Sequence, residues 1–328
     1  MATVGNDYFR EQLEMRRQRL VTASAGARAN AEISGLLLEV DLALERIRND
    51  TFGICEVCNS GIEADRLVAD PTVRICIDHL TPEQRRKLED DLHLASRVQR
   101  GLLPPQPVRA DGWQIHYHYQ PAGLVSGDYC DLIFPRNGGG EMVFLMGDVS
   151  GKGVAASMLM TQLHATFRSL VKVGLALEEL LASANHMLTE SALSGHYATL
   201  VAGRASRSGE VQLASAGHVP VLLAGCDGVK SVPATGLPLG LFENSSYGSH
   251  KIAMKPGDAL VLYTDGLSEA QDSAGRQYGE RRLAEFFGEQ RKLAAEALTS
   301  ACLADLHAFG GGRQPADDLT LMVIQRAA

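Results

Sequence analysis

The chain has 328 residues, is 45% hydrophobic and carries a formal net charge of -8 with an isoelectric point of about 5.7. That length and apolar content provide for more than one domain and a large core, and the acidic balance argues against a surface built wholly for nucleic acid. One Trp and 5% aromatic residues leave little for base stacking, no apolar run is long enough to span a bilayer, and MATVGNDYFREQ has no signal-peptide core, so a cytoplasmic protein is expected.

Residues 7–50 read as helix. Ile33, Leu37, Val40, Leu44 and Ile47 recur at spacings of three and four and share one face, with a weaker stripe at Leu13 and Leu20. SAGARAN, residues 24–30, interrupts the pattern and reads as the tip of a helical hairpin. Thr81-Pro82-Glu83 starts another helix, with Thr81 as N-cap and Pro82 in the first turn. Leu88, Leu92, Ala95, Val98 or Gln99, and Leu102 give it a heptad-like stripe, and Pro104-Pro105 stops it. This helix, residues 81–103, is expected to link two domains and to offer a homodimer contact.

From Trp113 the texture changes. Short β-type runs are expected at Gln114–Tyr119, Met142–Met146, Ala198–Gly203, Val211–Ala214, Val219–Leu223 and Ala259–Tyr263. Turn signals such as residues 137–140, Arg207-Ser208-Gly209 and Lys255-Pro256-Gly257-Asp258 separate them. Helices are expected over 153–172, 176–193 and 280–309. Paired strands with helices in blocks predict an α+β fold with packed sheets.

Of six cysteines, Cys55, Cys58 and Cys76 crowd into 22 residues, while Cys130, Cys226 and Cys302 are scattered. A local metal site plus three buried thiols fits this better than a disulfide framework. Cys55, Cys58, Cys76 and His79 form two close pairs of soft or borderline ligands. Four protein ligands suit one tetrahedral Zn²⁺ with no open position, hence a structural zinc. A redox pair at Cys55/Cys58 is the alternative, disfavoured by the matching second pair. F-G-I-C-x-x-C…R-L-x-A-x-P…C, preceded by an amphipathic helix, resembles the DksA/TraR-type zinc finger over roughly residues 33–80, with His79 where that family has a fourth cysteine. Residues 22–31 contain no aspartate, so the acidic tip that this family inserts into the RNA polymerase channel has no counterpart.

The segment EMVFLMGDVSGKG, residues 141–153, first suggests a phosphate loop. A phosphate loop needs G-x-x-x-x-G-K-[ST], but only three residues separate Gly147 from Gly151, and a glycine follows Lys152. Asp148 instead belongs to a set of carboxylates at the ends of apolar runs: Asp128, Asp148, Asp265, and Asp317 with Asp318. Brought into one cleft they repel one another, and divalent cations remove that cost. Hard oxygen donors point to Mg²⁺ or Mn²⁺, and two such ions about 4 Å apart can position a hydroxide for in-line attack on phosphorus.

S-G-D-Y-C-D, G-D-V-S-G-K-G, A-G-H-V-P, G-D-A-L-V-L-Y-T-D-G-L-S-E-A and D-D-L-T-L, in that order over roughly residues 90–328, resemble the protein phosphatase 2C superfamily, in its bacterial sporulation-E branch. The resemblance implies an α/β/β/α sandwich with two Mn²⁺ or Mg²⁺ ions at one edge of the sheets. It implies catalytic metal ligation by Asp128, Asp148, Asp265 and Asp317, with the Val149 carbonyl on one ion. Asp131, Lys152 and Asp318 are candidates for supporting or phosphate contacts; Asp131 reads equally as a strand-edge acid, and Lys152 foremost as a solvated turn residue. Ser157 and Met158 are expected to pack behind the turn, His218 to be structural, and Cys130 to pack rather than attack. Val149-Ser150 stand where some members place a histidine, so no general acid is evident.

The expected activity is a metal-dependent protein serine/threonine phosphatase. It would act on a phosphoserine or phosphothreonine of a partner protein, such as a STAS-type antagonist of an anti-sigma factor, under control of the zinc-finger segment. The alternative is a non-catalytic scaffold that meets the transcription machinery through its hairpin. No nucleic-acid or membrane partner is expected.

Overall fold

The protein is described from a computed structural model covering residues 6–26, 31–134, 141–191, 196–313 and 315–327. The expected turn at 137–140 and most of the expected hairpin tip at 24–30 lie outside the described residues. The chain divides into two compact units, Met1–Asp91 and Leu92–Ala328. That boundary falls inside the expected linker helix rather than at either of its ends.

In the first unit, the expected helical stretch is two helices, α1 (Asn6–Gly26) and α2 (Ala31–Arg48). They pack through Phe9 and Leu13 on one side and Val40, Ala43 and Ile47 on the other, at the three- and four-residue spacings that align side chains on one helical face. Between Val40 and Ile47 it is Ala43, not Leu44, that is buried. The cluster extends to Cys55, Ile62, the short helix α3 (Ala64–Ala69) through Leu67, and Cys76. Arg46 secures the following segment by donating to the carbonyls of Val73, Thr51 and Ile54.

Helix α4 (Pro82–Leu102) starts as its sequence requires. The Gln84 N–H donates to Thr81 Oγ1 at 3.2 Å and the Thr81 N–H to Gln84 Oε1 at 3.0 Å, a reciprocal capping box. Gln99 rather than Val98 completes its inward stripe. It is buried, donates to the Ser126 carbonyl at 2.9 Å and accepts from the Ser126 N–H at 3.0 Å.

The second unit is built on two antiparallel sheets. One has the order β1 (Val108–Ala110), β2 (Trp113–Gln120), β11 (Leu319–Arg326), β10 (Ala259–Tyr263), β7 (Val221–Gly225), β8 (Gly228–Val232). The other runs β3 (Asp128–Ile133), β4 (Met142–Val149), β5 (Ala198–Ala205), β6 (Glu210–Ala216), β9 (His250–Ala253). Strands β1, β3, β8 and β9 were not expected from sequence.

Strand residues alternate between two faces. Inward Cys130, Leu132, Phe144, Met146, Leu262 and Met322 fill the space between the sheets. On the outer face of the five-stranded sheet, Tyr129, Leu145 and Val149 meet α5 (Val154–Val173) and α6 (Leu177–Ser191). On the other side, Val261, Tyr263, Leu321 and Val323 meet α8 (Gly279–Glu289) and α9 (Ala295–Phe309). The layers are α/β/β/α, as expected.

The expected helix 280–309 is interrupted. It divides into α8 and α9 around a turn in which the Leu293 N–H donates to the Gln290 carbonyl at 3.0 Å. No proline marks the break. Packing of Ala295 and Leu298 on the sheet overrides local helix propensity there. Among the described residues no helix is long and apolar enough to cross a membrane.

Candidate active site

Asp128 opens β3 and stands opposite Asp148 near the end of β4. Asp265 follows β10 and begins the four-residue helix α7 (Asp265–Ser268), and Asp317 precedes β11. Strand parity explains the convergence. Asp128 and Asp148 fall on the same inward face as Cys130 and Met146. Two carboxylates thus come from the margin of each sheet to one end of the sandwich.

Asp128 is 1% exposed. Its Oδ2 accepts from Thr264 Oγ1 at 2.9 Å and from Thr320 Oγ1 at 2.5 Å, both from the opposite sheet. Its Oδ1 is buried without a partner among the described residues. Burial, then the neighbouring Asp148, holds its pKa well above the usual carboxylate range. Asp148 is pushed up to about 7 by burial and then by Asp265, Asp317 and Asp318, against the pull of Lys152. Asp265 is raised by burial and by Asp317. These are carboxyls that a cation would let ionise together. The orphaned Asp128 oxygen and the all-oxygen donor set fit divalent Mn²⁺ or Mg²⁺.

The turn after β4 is fixed by backbone geometry. Gly151 has φ +95°, a conformation that L side chains avoid. The Ser150 N–H donates to the Tyr197 carbonyl at 2.8 Å, and the Tyr197 N–H to Ser150 Oγ at 2.9 Å. Lys152 is not merely solvated. Its Nζ lies 2.9 Å from Asp317 Oδ2 and donates to the Ala316 carbonyl at 2.9 Å, so it joins this turn to the segment before β11.

Asp317 and Asp318 have different work. Asp317 Oδ1 accepts the Asp318 N–H at 3.0 Å, and its side chain is 42% exposed on the open side. Asp318 is buried and accepts the N–H groups of Ala122 at 2.7 Å and Gly127 at 2.8 Å. It therefore anchors the loop that delivers Asp128. Gly266 makes the approach of these segments feasible, since a Cβ there would stand 1.9 Å from the Asp318 carbonyl oxygen.

Other expected residues fall elsewhere. Asp131, a candidate for a supporting contact, is displaced from the site by parity. It is three residues past Asp128, so it faces α5, where Arg168 grips it with Nε–Oδ2 at 2.7 Å and Nη2–Oδ1 at 2.6 Å. Ser157 is buried behind the turn, but Met158 is 68% exposed because the helix turns it outward. Cys130 is buried and its thiol pKa is raised by burial, as befits a packing residue. Cys226 is exposed rather than buried.

His218 joins the sheets beneath the site, with Nε2 3.0 Å from the Tyr263 carbonyl and Nδ1 2.9 Å from Thr199 Oγ1. A carbonyl only accepts, so Nε2 carries the hydrogen and Nδ1 receives the threonine hydroxyl. Burial lowers its pKa to about 4, leaving it neutral. Thr264 and Thr320, which orient Asp128, were not singled out from sequence, although both sit inside the quoted motifs YTDG and DDLTL. A cavity of about 560 Å³ opens beside Asp317 and Lys152, with His118, His307 and Arg313 in its walls.

In the first unit, ligand atoms of Cys55, Cys58, Cys76 and His79 lie within 4.8 Å of one another. Cys58 Sγ and Cys76 Sγ are 3.8 Å apart, matching the edge of about 3.8 Å expected of a tetrahedron with Zn–S bonds of about 2.3 Å. Cys76 Sγ and His79 Nδ1 are 3.1 Å apart. The Cys55 thiol is lowered to about 6, chiefly by the Cys76 N–H, while Cys76 is raised to about 11 by burial and by the other two sulfurs. Three sulfurs this close cannot all ionise without a cation, so the donor set fits Zn²⁺.

Comparisons with known proteins bear on the second unit. Residues 138–327 match the family model for Stage II sporulation protein E (SpoIIE). Protein IcfG of Synechocystis sp. is 26% identical over 269 residues, 72% of this chain and 41% of that protein. Phosphoserine phosphatase RsbU of Bacillus subtilis is 23% identical over 252 residues, 74% of this chain and 72% of that protein. The chain thus spans under half of IcfG and under three quarters of RsbU. The SiaA-PP2C domain of Pseudomonas aeruginosa superposes with a TM-score of 0.65 at 19% identity, covering 74% of this chain and 97% of that one. Its likeness establishes the fold as that of PP2C-type phosphatases. With more than half of its length matched by the family model, the chain belongs to the Stage II sporulation protein E (SpoIIE) family, whose members are PP2C-type protein serine/threonine phosphatases.

Proposed function

We propose that this protein is a metal-dependent phosphatase that hydrolyses a phosphoserine or phosphothreonine on a partner protein in a sigma-factor pathway. The carrying observation is the convergence of Asp128, Asp148, Asp265 and Asp317 at one end of the sandwich, with Asp128 Oδ1 buried and without a donor among the described residues. These four carboxylates, with the Val149 carbonyl, would hold two Mn²⁺ or Mg²⁺ ions. When bound, such ions supply activation of water and neutralisation of phosphate charge.

The chain's own residues prepare this site. Thr264 and Thr320 fix the Asp128 carboxylate, Asp318 fixes the loop before it, and Lys152 brings a positive charge to its open margin. His118, His307 and Arg313 line the adjoining cavity with nitrogen groups that a phosphorylated segment could meet. Relatives named phosphoserine phosphatase support a phosphoserine substrate; the substrate class proposed is a STAS-type antagonist of an anti-sigma factor, and the location proposed is the cytoplasm.

The first unit is proposed to be a DksA/TraR-like finger that holds one structural Zn²⁺ through Cys55, Cys58, Cys76 and His79 and regulates the phosphatase. Helix α4 is proposed as the connector and dimer contact, since Leu94 and Val98 are 52% and 54% exposed one helical turn apart.

The test is hydrolysis of p-nitrophenyl phosphate with added Mn²⁺, for wild type beside Asp148→Asn. Metal-dependent turnover that the substitution removes is the expected result. Wild-type turnover that survives chelation of divalent metal would sink the mechanism, and a wild type that neither turns over nor binds Mn²⁺ would favour a scaffold.

A further inference from the structure

Two buried side-chain oxygens at the metal end of the sandwich, Asp128 Oδ1 and the Tyr119 hydroxyl, lack a partner among the described residues. Tyr119 stands opposite Thr320 in the pairing of β2 with β11. Cross-strand partners project from the same face of a sheet. Thr320 turns its hydroxyl onto Asp128 Oδ2, so Tyr119 is directed into the same gap between the sheets. Tyr117, two residues earlier on that face, is settled differently, donating to the Pro104 carbonyl at 2.6 Å.

Burial raises the Tyr119 pKa and the charges of Asp128 and Asp318 raise it further, against an opposing pull from Ser126, with which no hydrogen bond closes. The phenol therefore keeps its proton and is a donor. Asp128 Oδ1 is an acceptor, yet the two do not bond to each other. Native proteins rarely leave such a pair of buried polar atoms unsatisfied. The cation that Asp128 would hold satisfies Oδ1, and a water carried by that cation would satisfy the phenol.

We propose that Tyr119 is a positioning residue of the cation site, its buried hydroxyl donating to a water carried by the cation that Asp128 holds. The inference rests on the dimetal reading above. Outer partners of this kind commonly govern metal affinity by about tenfold or more.

Calorimetric titration with Mn²⁺ of the full chain tests it, comparing wild type, Tyr119→Phe and Tyr117→Phe, with urea unfolding of each in the absence of metal. Tyr119→Phe is expected to weaken Mn²⁺ binding by about tenfold and to leave the metal-free unfolding midpoint unchanged. Tyr117→Phe is expected to do the reverse, because its hydroxyl has a protein acceptor. Binding by Tyr119→Phe equal to wild type overturns the proposal. So does a metal-free Tyr119→Phe that is clearly less stable than wild type, since the phenol would then have a protein partner. A wild type that binds no Mn²⁺ overturns the dimetal reading itself, and the two failures are told apart by that titration.

Discussion

The Thr320 hydroxyl, on β11 of one sheet, donates at 2.5 Å to Asp128 Oδ2, on β3 of the other. With Thr264 doing the same at 2.9 Å, one oxygen of Asp128 is committed to the protein and the other is left for the site. Replacing Thr320 by Val keeps the shape and removes the donor. Mn²⁺ affinity is expected to fall by about 10- to 100-fold, the range for partners that orient a metal ligand. Calorimetry reads this directly, and an unchanged affinity would mean that Asp128 needs no orientation.

Gly266 lies against the backbone of Asp318, and a methyl group there would meet the carbonyl oxygen at 1.9 Å. A backbone neighbour cannot swing aside, so Gly266→Ala forces the segments of Asp265 and Asp317 apart. The expected cost is about 1–3 kcal/mol of stability, as for overpacking in general, together with loss of Mn²⁺ binding. Urea unfolding and titration check the two effects separately.

His218 makes stability depend on pH. Its pKa falls from 6.5 to about 4 in the folded protein because burial disfavours the charged ring. Between those values the unfolded chain binds a proton that the native state refuses, so stability is full above about pH 6.5 and declines as pH falls toward 4. The contribution is roughly 3 kcal/mol. Unfolding free energies of wild type and His218→Gln across that interval give the test, and equal slopes for the two would refute the assignment.

Asp131 is fully buried and paired with Arg168, which is 40% exposed. Breaking a fully buried pair costs about 3–5 kcal/mol, and the solvent around Arg168 moderates this. Arg168→Met is therefore expected to lower stability by roughly 2–3 kcal/mol while leaving Mn²⁺ affinity unchanged, because Asp131 faces α5 and not the carboxylate cluster. A drop in metal affinity at full stability would contradict that placement.

In the first unit, Cys76→Ser removes one of four clustered ligand atoms. Metal analysis is expected to fall from one zinc per chain to none, with loss of helical circular dichroism from α1 and α2, whose core includes Cys55 and Cys76. An unchanged spectrum would mean that the hairpin folds without its metal.

The carboxylates of the site were legible because each ends an apolar run beside a small residue, and their order along the chain matched a family pattern. The clustering of Cys55, Cys58, Cys76 and His79 was legible from spacing alone. What escaped was set by contacts between distant segments. Thr320 meets Asp128 across 192 positions, and no local pattern reports that. Asp131 was open between a supporting contact and a strand-edge acid, and the second holds, because parity on the edge strand β3 sends residues 128 and 131 to opposite faces. The break between α8 and α9 escaped for the same reason, since packing on the sheet decides it.

Two carboxylates from each sheet also give any bound cation a mechanical role. Held by Asp128 and Asp148 on one side and Asp265 and Asp317 on the other, it would act as a rivet through the two halves of the sandwich. The folded state should then tighten with metal supply, by about 2.7 kcal/mol at a free concentration 100 times Kd. A cell short of manganese or magnesium would hold not just a slower protein but one easier to open, and so more readily cleared.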